Sequence, residues 1–239
     1  MKIVAGKRTQ PLEYELSPLE KAIQGYEAKA NEYFSKERLN PPRTAQEREK
    51  RRQEALRHLY SERKHLSTIG SVQEQVARYR DTARQARDMS TPEGVKAARM
   101  LGDEKHHPTD TLMRYLRADG RPRPSPHHSA HHIVSGKGRY PEMEESRSHI
   151  HLVGGIGIND PDNGAWMPRS RKYIPHWSNP KTAPHSRIHT RRYEEWVASR
   201  VLLGFDEHSV RTHLQVIGRQ LETGTQPQDI ITEKVFKAK

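Results

Sequence analysis

The chain of 239 residues contains no cysteine, which excludes disulfide bonds and thiolate ligands for a metal. Aromatic residues make up only 6% of the chain and hydrophobic residues only 32%, whereas 30% of the residues are charged. This composition leaves little apolar material for one large core. We therefore expect a compact part joined to a more elongated helical part.

Long hydrophobic runs are also missing. No segment approaches the roughly 18 consecutive apolar residues of a membrane helix. Residues 1–8 lack the apolar run of a cleaved signal peptide. We therefore expect a protein without membrane contact that is made in the cytoplasm, and whose export would use a route without a cleaved leader.

The chain has little acidic charge relative to its basic charge. The formal net charge is +12 and the isoelectric point is near 9.9, which favours polyanionic partners such as nucleic acid. The excess is spread evenly over the two halves of the chain. Charge alone therefore leaves open whether the protein binds nucleic acid or merely has a basic surface.

Helical patterns dominate the N-terminal half. Three segments combine a hydroxyl residue with a glutamate three positions later, which is typical of a capping box at a helix start. A proline-rich segment, residues 121–126, indicates an extended linker. We therefore predict a helical N-terminal region at residues 1–120 and a second domain at residues 121–239. The predicted helix starts are Ser17–Glu20, Thr44–Glu47 and Ser71–Glu74.

Histidines are concentrated after the linker, where three short pieces of sequence carry chemistry. His131 and His132 adjoin a β-branched pair that favours a strand, on which adjacent side chains point to opposite faces. Asn163, followed by glycine, is typical of a hairpin turn. His185 and His189 are four positions apart in a predicted helix that opens with a proline, so that their imidazoles would share one face.

Each piece also has a simpler interpretation. Two histidines at helical spacing are common by chance, a polar strand end explains His131 and His132, and a turn explains Asn163. The His-Glu-x-x-His pattern of zinc peptidases is missing, because Ser186 stands where that pattern has its glutamate. Taken one at a time, the pieces do not establish a metal site.

The order of the pieces is nevertheless similar to that of a ββα-metal nuclease site, and more closely it resembles the AHH family of the HNH/endonuclease VII superfamily. This resemblance covers about residues 126–203. The family occurs largely as the toxic domain of bacterial polymorphic and contact-delivered toxins. The blocks that carry the resemblance are Ala130-His131-His132, Gly155 to Asp160, Asn163-Gly164, Met167-Pro168, His185-Ser186, His189-Thr190 and Tyr193.

The resemblance implies an α+β fold, mostly α, in which the helical N-terminal region precedes a small ββα-metal nuclease domain with C-terminal helices. It implies a metal-dependent endonuclease, with DNA favoured as the substrate and RNA left open. His132 would be the general base that takes a proton from water, and Asn163 would orient its ring. His131, His185 and His189 would hold one divalent metal ion.

The metal and the phosphate contacts are less constrained. An all-imidazole ligand set favours zinc, nickel, cobalt or manganese, whereas nucleases of this family often work with magnesium, so the identity stays open among Mg, Mn, Zn and Ni. Nearby cations are expected to contact backbone phosphates without reading sequence. These cations are Arg169, Arg171, Lys172, Arg187 and Arg191.

A toxin of this family would need a cognate immunity protein in the producing cell, and it would be delivered into target cells. The helices of residues 1–120 are then expected to bind a secretion-system component or a chaperone. Two alternatives stay open. In one, a closed structural zinc site braces a surface that binds nucleic acid without cutting it. In the other, the helical half mediates protein interactions and the histidines are incidental.

Overall fold

A computed structural model describes residues 3–4, 7–8, 16–39, 44–104, 108–176 and 182–231. In these ranges the chain forms seven α-helices and two antiparallel sheets of two strands each, so the predicted class, α+β and mostly α, is confirmed. None of the described helices combines the length and the apolar character that a membrane span requires. The helices are α1 (Pro18–Leu39), α2 (Ala45–Gln85), α3 (Pro92–Gly102), α4 (Asp110–Ala118), α5 (Pro141–Leu152), α6 (Arg191–Val201) and α7 (Glu207–Thr223), and the strands are β1 (Ile3–Val4), β2 (Lys7–Arg8), β3 (His128–His132) and β4 (Gly164–Pro168).

The chain divides into two compact units, residues 1–74 and residues 75–239. The proline-rich segment expected to separate domains lies inside the second unit. There Arg121 donates to the carbonyl of Gly164 at 2.8 Å and pairs with Glu222 at 2.8 Å. These contacts hold the segment against its own unit. The assignment of residues 1–120 and 121–239 to separate domains stays a prediction.

Two of the three predicted helix starts are confirmed. The N–H of Ser17 donates to Glu20 Oε2 at 2.7 Å and the N–H of Glu20 donates to Ser17 Oγ at 3.3 Å, which completes a capping box. The N–H of Glu47 donates to Thr44 Oγ1 at 3.1 Å. The third predicted start is wrong, because α2 runs unbroken through Ser71. A lone glycine before it costs a helix only about 1 kcal/mol, which does not stop one that is already propagating.

The second sheet pairs β3 with β4, and His131 lies opposite Ala165 in its register. The predicted strand after Asn163 is confirmed, but the predicted hairpin turn is wrong. Residues 133–163, including α5, connect the two strands, and Asn163 ends a 3-10 turn that begins at Pro161. The side chain of Asp160 accepts the N–H of Asp162 at the start of this turn, which favours a 3-10 helix over a tight hairpin.

The two faces of the second sheet contact different parts of the unit. Ala130 and Trp166, which are register partners, pack with Leu112 and Leu116 of α4. The neighbouring positions on the strands turn toward a larger core between α5, α6 and α7. Because side chains alternate along a strand, His131 and His132 face opposite sides of the sheet, as predicted.

Candidate metal centre

Three histidines predicted as ligands lie together in the structure. One possible ligand atom from each of His131, His185 and His189 lies within 4.8 Å of the others. The ring centroid of His131 lies 4.9 Å from the ring centroid of His185 and 5.2 Å from that of His189. Imidazole nitrogens bind first-row metals at about 2.0–2.1 Å. The three nitrogens are therefore close enough for small ring rotations to bring them onto one ion.

The backbone that positions His185 and His189 differs from the predicted helix. A 3-10 turn covers His185–Arg187, and α6 begins only after Thr190. The hydroxyl of Thr190 accepts the N–H of the third residue of α6 at 3.0 Å, which starts the helix there instead of at Pro184. One short 3-10 turn and the residues that follow it, and not one helical face, set the two rings side by side.

The tautomer of His131 is determined by Tyr193. The hydroxyl of Tyr193 donates its proton to the carbonyl of Ile133 at 2.8 Å. The same oxygen lies 2.7 Å from Nε2 of His131 and can therefore only accept there. Nε2 must carry the hydrogen of a neutral His131, and Nδ1 carries the lone pair.

Nδ1 of His131 is buried and makes no hydrogen bond to any residue that the structure describes. A buried polar atom without a partner is costly and needs an explanation. Here the atom belongs to a ring that borders His185 and His189, and a bound cation would satisfy it. This orphaned nitrogen is the observation that fits the site to a metal ion.

Electrostatics also suits His131 for binding a cation. Burial first, and then the charges of His185 and His189, hold the pKa of His131 well below its ordinary value. The ring is therefore neutral at physiological pH. Metal binding requires neutral imidazole, so no proton has to be displaced from His131 when an ion binds.

Ser129 supports the second ligand. Its hydroxyl lies 2.8 Å from Nδ1 of His185, and a hydrogen bond to one ring nitrogen fixes the orientation of the other. Sequence reasoning assigned no role to Ser129. The available signal was its position two residues before His131, which places both side chains on the same face of β3.

His132 lies in a separate environment on the other face of the strand. Its Nε2 lies 2.9 Å from Oδ1 of Asn159. An amide oxygen only accepts hydrogen bonds, so Nε2 is the donor in this contact and Nδ1 carries the lone pair of the neutral ring. The side chain of His132 is only 5% exposed.

Asn163, expected to orient His132, contacts backbone instead. Its Oδ1 accepts the N–H of Val134 at 2.8 Å, and its Nδ2 donates to the carbonyls of Val134 and Ile158 at 2.9 Å each. The expected contact to His132 is made by Asn159. Both asparagines belong to blocks that carry the family resemblance, and only the folded loop distinguishes which one reaches the ring.

The cations predicted to contact phosphate have different surroundings. Arg187 lies in the turn between the two ligand histidines of this segment. Arg191 pairs with Glu195 at 2.9 Å and with Glu142 at 3.7 Å, so part of its charge is already balanced. Lys172 lies 4.7 Å from the centroid of a tyrosine ring. The remaining two, Arg169 and Arg171, are exposed and follow β4.

Residues 112–221 match the model of AHH, a nuclease family of the HNH/ENDO VII superfamily with a conserved AHH. This segment is similar to the AHH nuclease family. The histidines of its Ala-His-His motif are His131 and His132, the two residues with opposed environments on β3. No curated protein and no solved structure matches the chain.

The match to a nuclease family supports nuclease chemistry for this segment, with nucleic acid as the implied substrate class. The histidine cluster adds a site that can hold a metal ion. The two histidines of the AHH motif therefore have different surroundings on one strand. Its first histidine faces the cluster, and its second faces Asn159.

Proposed function

We propose that the chain is a metal-dependent endonuclease that hydrolyses DNA, with His132 as the general base and one divalent ion held by His131, His185 and His189. The observation that carries the proposal is the orphaned, buried Nδ1 of His131 beside two further imidazoles. Adjacent to it in sequence stands a second histidine whose tautomer leaves Nδ1 as proton acceptor.

The proton transfer can be derived from the contacts of His132. A neutral imidazole with an ordinary pKa near 6.5 can accept a proton from water at physiological pH. Nδ1 would take that proton, because the contact to Asn159 occupies Nε2. The imidazolium that forms keeps its Nε2–H on the amide oxygen of Asn159, which stabilises the added charge. When bound, a divalent ion supplies Lewis-acid stabilisation of charge on the phosphate.

The number of histidines favours catalysis over a purely structural ion. Structural zinc sites are usually closed by four protein ligands, whereas catalytic sites keep one position open for water or substrate. Within the described residues the cluster contains three candidate ligands, His131, His185 and His189. The alternative, a nucleic-acid-binding module with a closed metal site, needs a fourth protein ligand.

Substrate binding is proposed to depend on phosphate contacts from Arg187 and Arg191 and from the cations that follow β4. Arg187 is the best placed, because it lies between two ligands of the proposed metal. Such contacts bind the backbone of any sequence and weaken as salt rises. The preference for DNA over RNA rests on the family resemblance.

The same resemblance supports a role as a toxin effector. We propose that the protein is delivered into target cells, and that an immunity protein blocks it in the producer. The helices of residues 1–120 would bind a secretion-system component or a chaperone. Expression of the chain without its immunity protein should kill the host, and a His132→Ala variant should not.

The decisive experiment digests plasmid DNA and RNA side by side with the purified full chain. A chelator should stop cleavage, and re-addition of Mg, Mn, Zn or Ni in separate reactions should identify the working ion. His132→Ala should lower the rate about 10²- to 10⁴-fold and leave metal affinity intact. The control is His208→Ala, which removes an exposed histidine of α7.

Two outcomes would contradict the proposal. Cleavage by His132→Ala at the parent rate would show that His132 is not the base. Tight metal binding with no cleavage of either substrate would favour the binding module.

A further inference from the structure

We propose that Glu104, which precedes the family segment, is a positioning residue for the general base. It fixes the amide orientation of Asn159 and, through that amide, the nitrogen on which neutral His132 carries its hydrogen. This inference rests on the proposed role of His132 as the base. It adds to the nuclease site a residue that no part of the AHH motif contains.

The inference starts from a chain of two hydrogen bonds. Nδ2 of Asn159 donates to Oε1 of Glu104 at 2.6 Å, and Oδ1 of the same amide lies 2.9 Å from Nε2 of His132. Asn159 is 2% exposed, so water does not compete freely for its amide. The amide nitrogen of Asn159 therefore contacts Glu104, and its amide oxygen contacts His132.

The donor and acceptor in each of these two hydrogen bonds follow from the chemistry of the groups. An ionised carboxylate only accepts hydrogen bonds, whereas an amide has one donating end and one accepting end. A flipped amide would set the oxygen of Asn159 against the carboxylate of Glu104, where two acceptors repel. Glu104 thus selects the orientation in which Asn159 presents its oxygen to His132. An oxygen at that position selects the tautomer with hydrogen on Nε2.

The hydroxyl of Tyr79 bridges the carboxylate of Glu104 and the backbone of Asn159. It donates to Oε2 of Glu104 at 2.7 Å and accepts the backbone N–H of Asn159 at 3.0 Å. Burial raises the pKa of Glu104, and the hydrogen bonds from Asn159 and Tyr79 oppose this shift because each gives a carboxylate oxygen a donor, which favours the ionised form. Burial, followed by the charge of Glu104, raises the pKa of Tyr79 well above its ordinary value, so the phenol keeps the proton that it donates.

Gly157 indicates how tightly Tyr79 approaches this loop. A Cβ atom at Gly157 would lie 2.0 Å from the hydroxyl oxygen of Tyr79 and 2.4 Å from its Cζ. Any larger residue would displace the phenol from its two partners. The glycine is thus required by the contact that anchors the loop of Asn159 to α2.

The test replaces Glu104 by glutamine in the full chain. A glutamine can donate as well as accept, so Asn159 would no longer be restricted to one orientation. Imidazole nitrogen shifts of His132, recorded by NMR on the metal-free protein with the ring neutral, report the tautomer directly. We expect hydrogen on Nε2 in the parent and a mixture of both tautomers in Glu104→Gln. The turnover number of Glu104→Gln should fall about 10- to 100-fold with little change in KM.

Two further variants make the result specific. Asp103→Asn removes the neighbouring carboxylate, whose side chain is 80% exposed, and should change neither the tautomer nor the rate. Glu104→Asp keeps a group that only accepts, and should stay closer to the parent tautomer than Glu104→Gln. If Glu104→Gln does not fold, Glu104→Ala provides the test, because it removes the acceptor of the Asn159 amide and should likewise give both tautomers.

The inference is overturned if Glu104→Gln keeps hydrogen on Nε2, whether or not its turnover falls, because a loss without a tautomer change means a merely structural role. It is equally overturned if Glu104→Asp shifts the tautomer as far as Glu104→Gln. The NMR signal does not require cleavage. A chain that fails to cut DNA and still shows the tautomer change would contradict the proposed function and leave the positioning role supported.

Discussion

The hydroxyl of Tyr193 accepts from Nε2 of His131 at 2.7 Å while its own proton goes to the carbonyl of Ile133 at 2.8 Å. One oxygen of α6 thus determines which nitrogen of His131 is available to a metal. As a result, the lone pair of neutral His131 lies on its buried Nδ1. Affinity for the ion should therefore depend on a residue that does not touch it.

Tyr193→Phe should lower metal affinity about 10- to 100-fold, because His131 loses the contact that fixes its tautomer and its ring orientation. Isothermal titration of the metal-free protein with zinc or nickel measures the change. Tyr60→Phe is the control, since that tyrosine is 72% exposed on α2. Parent-like affinity in Tyr193→Phe would show that its hydroxyl does not control the ligand nitrogen.

Asn163→Ala should destabilise the fold by about 2–4 kcal/mol, because three buried hydrogen bonds to backbone groups are lost and their partners stay buried. Chemical denaturation measures the free energy of unfolding, with the exposed Asn31→Ala as control. A variant that unfolds like the parent but no longer cleaves would instead support the catalytic role first predicted for Asn163.

Acid should destabilise the protein through His151. Burial, followed by the charge of Arg147, lowers the pKa of His151 to about 4. Since the unfolded chain binds this proton near pH 6.5, the contribution of neutral His151 is fully present above that pH and is lost as the pH falls toward 4. At pH 5 the loss is about 2 kcal/mol, an upper value because the ring is partly exposed.

His151→Gln removes this titration. The free energy of unfolding, measured in urea at pH 7.5 and at pH 5, should fall less between the two values in the variant than in the parent. An equal fall in both proteins would mean that His151 binds its proton in the folded state as readily as in the unfolded chain.

The carboxylate of Asp160 is fully buried between two guanidinium groups. Arg80 donates to it through Nε and a terminal nitrogen, both at 3.0 Å, and Arg211 donates at 3.0 Å. Burial opposes ionisation, but the hydrogen bond from Arg80 and the charge of Arg211 outweigh it and lower the pKa of Asp160. Asp160→Asn should destabilise the fold by about 3–5 kcal/mol, since two partly buried cations lose their shared partner.

Denaturation of Asp160→Asn beside Asp81→Asn checks this prediction, because the control residue carries a carboxylate that is 65% exposed. A loss below about 1 kcal/mol would mean that the nearby Asp162 alone balances both arginines.

Much of the proposed site was predictable from the order of its blocks. His131, His185 and His189 come together as the family resemblance implied. The local structure around them was not predictable from spacing, because one hydroxyl, that of Thr190, starts α6 after the second pair of histidines instead of before it. A four-residue spacing is compatible with a short 3-10 turn before a helix as well as with one continuous helix.

The residues around His132 were harder to predict, for a different reason. Asn159 and Asn163 are chemically equivalent in the sequence, and their roles separate only once the 3-10 turn before β4 is formed. Glu104 carries no sequence signal, because a single glutamate after a helix resembles any solvated residue. Its role depends on a contact across 55 positions of the chain, which local patterns do not report.

Three side chains that hold the loop before β4, those of Tyr79, Arg80 and Glu104, precede the family segment at residues 112–221. The part of the chain that builds the candidate site is therefore longer than the segment that matches the family. A chimera that begins at residue 112 would contain every motif histidine. It would still lack Tyr79, Arg80 and Glu104, which contact the loop before β4. A fusion of this unit to another protein should therefore be joined near residue 75, where the second compact unit begins.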